Sequence, residues 1–178
     1  MKYISIFLIA LFSLNDVSAQ TLPPSSPCLT EKIYRQFDFW IGEWEAYNLK
    51  GKKSGDSKIS LILDSCVILE EWTSVAIPGG FLYTGKSFNS YNATTKQWEQ
   101  HWIDNVGGST NYVHGKYETK KIIFLTDPFQ FSTDTMAINK LTFFDLGPGR
   151  VRQLGEISKD NGKTWTVQYD LDYRRKRK

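Results

Sequence analysis

Trp98, Gln100, Trp102 and Asp104 place two indoles, an amide and a carboxylate at alternate positions of one short run. On an extended strand alternate side chains share a face. These four therefore point one way, and Gln97, Glu99, His101 and Ile103 point the other. Apolar walls with a few polar anchors are what a small-molecule pocket needs. A second run, Cys66-x-Ile68-x-Glu70-x-Trp72, has the same phase. An interior lined by both runs would hold a ligand among Trp40, Trp72, Trp98 and Trp102, oriented by Glu70, Gln100 and Asp104. The same side chains would serve equally as a filled core, with the three polar groups hydrogen-bonded to one another.

A carboxyl group buried among indoles has a raised pKa and can act as a general acid or base. Glu70 and Asp104 are the catalytic candidates, with Glu43 a third. Glu70 and Glu71 cannot act as a pair, because strand neighbours face opposite sides. The two histidines, His101 and His114, have no third ligand at a recognisable spacing, so no metal site is expected. The sequence contains no Gly-x-Ser-x-Gly, His-Glu-x-x-His, phosphate-binding loop or dinucleotide glycine cluster. No cofactor is predicted.

The elements that would position these residues are strands. After residue 40 the chain is a succession of β-rich or alternating runs broken by Gly, Asn, Asp and Pro. They lie near 43–49, 57–63, 66–75, 80–91, 96–104, 110–117, 120–126, 136–144, 150–158 and 164–173. Links of two to five residues make consecutive strands antiparallel neighbours. A meander of that length leaves two raw edges unless it closes on itself. The expected fold is all-β: a single antiparallel up-and-down β-barrel of about ten strands, lipocalin-like, with one short N-terminal helix from Thr30 to about Phe37. Before the last run, Ser158-x-Asp160-x-Gly162-x-Thr164-Trp165 resembles the Asp-box hairpin of secreted proteins. Its role here is expected to be structural, with the carboxylate accepting turn N–H groups.

Composition agrees with an exported β domain. Of 178 residues, 40% are hydrophobic, 23% are charged and 15% are aromatic, which excludes a wholly disordered chain. Lys2, the apolar stretch from Tyr3 to Leu14 and Val17-Ser18-Ala19 have the layout of a signal peptide over 1–19. Residues 20–29 read as a Pro- and Ser-rich linker. The domain then covers 30–174, and 175–178 is a basic tail. Five consecutive cationic residues, Arg174 to Lys178, account for a formal net charge of +3, and the remainder is slightly acidic. A nucleic-acid partner is therefore not expected. No later segment is long and apolar enough for a membrane helix. Cys28 and Cys66 would pair as a structural disulfide in an oxidising compartment, closing a loop worth about 4 kcal/mol. The alternative is two buried free thiols.

Phe37-Asp38-Phe39-Trp40-Ile41-Gly42-Glu43-Trp44-Glu45 resembles the opening signature of a family of exported bacterial domains of unknown function. Those domains are lipocalin-like and distantly similar to nitrobindin-type barrels. Cys66-x-x-x-Glu70-x-Trp72, Trp98-x-Gln100-x-Trp102-x-Asp104, Val151-Arg152-Gln153, and the Ser158 to Trp165 motif with Tyr173-Arg174 fit the same pattern. The resemblance gives Gly42 and Trp44 a structural role. The indole would plug one barrel end beneath an arginine, with Arg174 or Arg175 placed for it. It also raises haem, but neither histidine matches the nitrobindin position near the C-terminus, so haem is not expected.

The leading functional expectation is an exported protein, periplasmic or secreted, that binds a small apolar or aromatic molecule inside a barrel. One alternative is a metal-independent isomerase, cyclase or hydrolase that uses a buried carboxylate. Another is an interaction module with a filled barrel acting through its loops.

Overall fold

The computed structural model describes residues 25–177. The expected signal peptide and the first part of the expected linker lie outside them. The strands are β1 (Gly42–Asn48), β2 (Lys53–Ile62), β3 (Val67–Ser74), β4 (Thr84–Asn92), β5 (Gln97–Asp104), β6 (Ser109–Glu118), β7 (Lys121–Leu125), β8 (Phe129–Ser132), β9 (Thr135–Asp145), β10 (Arg150–Ser158) and β11 (Thr166–Arg175). Each pairs antiparallel with its neighbour from β1 to β7. The ladder then passes from β7 to β9, β10 and β11 and returns to β1. Ten strands thus form a closed antiparallel barrel. β8 is an additional strand that hangs on β9 and that the sequence pattern did not separate from a loop. It has only four residues and follows Pro128, too little for an alternation to register.

The N-terminal segment differs from the single helix expected from Thr30. A short α1 (Pro27–Thr30) is followed by 3₁₀ turns at Lys32–Arg35 and Asp38–Trp40. The start lies earlier because Ser26 caps it, accepting from the Cys28 N–H, and Pro27 sits where a missing N–H costs nothing. Cys28, 3% exposed, is bonded to Cys66 in the β2–β3 turn, 38 residues away in sequence. The bridge ties this segment to the barrel wall.

From that tie the chain fills one end of the barrel. Phe37 stacks on Trp40 at 5.1 Å between ring centroids, and Trp40 meets Phe143 of β9 at 4.4 Å. Phe37 also meets Trp98 of β5 and Phe124 of β7. Phe37, Trp40, Trp44, Phe124 and Phe143 have no exposed surface. Trp44 donates its Nε1–H to the Trp40 carbonyl at 2.7 Å. Outside it, the Arg175 guanidinium lies over the indole at 4.6 Å and donates to the Ile41 carbonyl at 2.9 Å. Of the two arginines that could cover Trp44, Arg175 does so, while Arg174 lies over Tyr47. Arg175 therefore ends β11 rather than beginning a free tail. Lys176 continues the order, pairing with Asp56 at 2.8 Å.

Candidate functional site

Above the aromatic plug the barrel is hollow. A cavity of about 540 Å³ opens toward the end that carries the β3–β4, β5–β6 and β10–β11 loops. The interior is thus filled at one end and open at the other. The inward face of β3 runs from Ile68 in the plug through Glu70 and Trp72 to Ser74. That of β5 runs from Trp98 in the plug through Gln100 and Trp102 to Asp104. Burial along both strands follows this period-2 alternation, as the pleat requires.

The seven residues expected to bind a ligand therefore divide. Glu70, Trp72, Gln100, Trp102 and Asp104 line the cavity. Trp40 and Trp98 lie in the plug, where Trp98 donates to the Gln36 side chain at 3.0 Å. Residues that pattern reasoning did not assign also line it, among them Tyr83, Tyr112, Asn139, Leu141, Gln153, Tyr169, Leu171 and Tyr173. The last three stand on one face of the final run, and Gln153 belongs to the Val151-Arg152-Gln153 segment. Their signal was present, but nothing in one sequence said that those strands border the same space.

At the centre of the wall, Glu70 is 2% exposed. Its two carboxyl oxygens accept from Ser57 of β2 at 2.9 Å and Ser87 of β4 at 3.0 Å. The chain of bonds continues sideways. Asn89 donates to Ser87 and to the Ile68 carbonyl, and Gln100 donates to Asn89 at 2.7 Å. Burial is the main influence on Glu70 and raises its carboxyl to about 7, against the opposing effect of the serine hydroxyls. Nearby, Tyr173 donates to Gln153 at 2.7 Å. The Oδ1 of Asn139, another lining residue, is buried without a partner.

Asp104 is differently placed. It stands at the mouth and accepts from Tyr83 at 2.8 Å, Trp102 at 3.3 Å, and the Val106 and Gly108 backbone N–H groups. Although desolvation opposes it, this set of donors holds the carboxyl below the usual range. Asp104 is thus an ionised clasp for the β5–β6 turn and for two rings of the rim. Glu43 is exposed on β1 and does not line the cavity.

Three rings are kept against the wall by glycines. A Cβ on Gly55 would lie 2.6 Å from the Trp72 ring, and Cβ atoms on Gly85 and Gly155 would collide with Trp102 and Tyr169. Ring over strand glycine uses space that a side chain would take, and leaves the middle of the barrel open.

At the open end the Asp-box-like turn is closed by its own side chains. Asp160 accepts from Ser158, from the Thr164 backbone N–H at 2.9 Å and from the Thr164 hydroxyl, which lowers its carboxyl to about 2. Gly162, at φ +82°, donates its N–H to Ser158, and its carbonyl accepts from Trp165. None of these residues lines the cavity. Nor do His101 and His114, which are exposed on the outer surface and bonded to Asn111 and Asp127. Among the described residues no group of His, Cys, Asp and Glu is arranged to hold a metal, and no helix is long and apolar enough to cross a membrane.

Comparison with protein-family models gives no match, and comparison with curated proteins gives none either.

Proposed function

We propose that this protein binds a small, largely apolar or aromatic molecule inside the barrel, and that it does so after export. The observation that carries the reading is the cavity of about 540 Å³, walled by Trp72, Trp102, Leu141 and Leu171 with Glu70, Gln100 and Gln153 set among them. Its size falls within the ~300–1,000 Å³ of small-molecule sites, and apolar walls with sparse polar anchors are their usual composition. The Cys28–Cys66 disulfide is compatible with an oxidising compartment and so supports export.

The test is uptake of the neutral fluorophore N-phenyl-1-naphthylamine, alongside native mass spectrometry of protein purified from an oxidising compartment. Saturable uptake that Trp102→Ala weakens more than it lowers the melting temperature supports the reading. No uptake, together with a bare polypeptide mass, overturns it.

A second reading is favoured by Glu70, whose carboxyl is raised to about 7 and faces the same cavity. A group poised there can accept or donate a proton near neutrality. A metal-independent isomerase, cyclase or hydrolase would then use Glu70, with Asp104 as a fixed charge at the entrance. In that case Glu70→Gln abolishes turnover of a bound compound while retaining its binding.

A further inference from the structure

The cavity is chemically one-sided. Two carboxyl side chains, Glu70 and Asp104, face it, and no Lys, Arg or His does so among the described residues. Neither carboxyl takes part in an ion pair, although eleven Lys or Arg pairs are formed elsewhere on the described chain. Six aromatic side chains complete the surroundings: Trp72, Tyr83, Trp102, Tyr112, Tyr169 and Tyr173. A buried anionic ligand would find no cation here and would be repelled by Asp104. A cation would be met by aromatic rings and by an acid that has only hydroxyl partners. We infer that the barrel takes an organic cation, an aromatic or apolar molecule bearing a protonated amine, with Glu70 as its counter-ion.

The inference rests on the binding function proposed above and names the ligand class. The titratable groups facing Glu70 within the cavity are Asp104, Tyr83, Tyr112, Tyr169 and Tyr173. Burial raises all four tyrosines, Tyr83 and Tyr112 to about 12, so they stay neutral. Asp104 is already ionised at its clasp. Glu70 alone changes state: an arriving ammonium group favours its carboxylate, and the carboxyl proton leaves to solvent. Binding below about pH 7 therefore releases a proton.

Three probes share one ring system and differ in charge: tryptamine, tryptophol and indole-3-acetate. Calorimetry on the disulfide-bonded protein should show tryptamine binding about tenfold or more tighter than tryptophol, with indole-3-acetate weakest. At pH 6, repeating the titration in buffers of different ionisation enthalpy should show close to one proton released with tryptamine and none with tryptophol. Glu70→Gln should abolish the amine preference and the proton release while still binding tryptophol, which also shows that the variant is folded. Equal binding of amine and alcohol, tighter binding of the acetate, or no proton release overturns the inference. So does failure of all three indoles while N-phenyl-1-naphthylamine still binds, a result that leaves the binding function standing. Failure of all three indoles and of N-phenyl-1-naphthylamine, together with a bare polypeptide mass, removes the binding function itself.

Discussion

The indole of Trp102 occupies the space that a side chain at position 85 would take, across the β4–β5 ladder. The same ring donates to Asp104, which also holds Tyr83. One glycine and one carboxylate thus set the orientation of an aromatic wall, and with it the width of the cavity.

Gly85→Ala should therefore do more harm than a single methyl suggests. Its Cβ meets the Trp102 ring and lies 2.9 Å from the Ile103 carbonyl, so the indole must swing inward. The expected cost is about 1–3 kcal/mol, together with loss of N-phenyl-1-naphthylamine uptake. Thermal unfolding checks the first part. Adding Trp102→Ala should recover part of the lost stability, and strictly additive effects would contradict the steric account.

Stability should fall as pH rises from about 4.5 to 7. An unfolded Glu70 ionises near 4.5, whereas the folded carboxyl ionises near 7 because burial disfavours its charge. Below 4.5 both states are protonated and the contribution is whole. Between the two values the unfolded state loses its proton first, and the contribution drains away by about 3 kcal/mol in all. Denaturant unfolding of the native protein against Glu70→Gln should show this slope in the former and a flatter one in the latter.

Removing the Cys28–Cys66 bridge should cost about 2–4 kcal/mol. The disulfide fastens α1, and through it the Phe37–Trp40 plug, to the β2–β3 turn. Unfolding with and without reductant measures the loss. The double variant Cys28→Ala, Cys66→Ala should match the reduced protein.

Arg175→Ala should destabilise by about 1–2 kcal/mol, through loss of the cation–π contact on Trp44 and of the bond to the Ile41 carbonyl. Gly42→Ala should also destabilise, because residue 42 sits at φ +141° and its Cβ would strike the same guanidinium. Melting temperatures of the two variants and the wild type decide this, and an unchanged value for both would remove Arg175 from the plug.

Much of the architecture was legible along the chain. Alternation in β3 and β5 separated the two faces of each strand, because a pleated strand leaves each side chain only two directions. Barrel closure turned the Glu70 and Trp102 faces inward. Short links between runs dictated antiparallel neighbours, and ten of the eleven strands left a recognisable run. The cysteines had only each other to pair with. The N-terminal helix was misplaced, since Thr30 competed as a starting residue with the stronger pair Ser26-Pro27.

Depth within the barrel was not legible. Trp98 and Trp102 belong to one face of one strand, and nothing local separates them. Trp98 is plug and Trp102 is cavity wall because Phe37 and Trp40 enter from one end and stop short of the other. The same holds for Glu70 and Asp104. Residue type marked both as acids with possible work to do, and spacing put both on inward faces. Only closure of the barrel decided that Glu70 is buried in the cavity wall and protonates near neutrality, while Asp104 reaches four donors at the rim and stays ionised. Strand faces are a local property of the backbone. The pKa of an acid and the emptiness beside it depend on which distant strands come to border it.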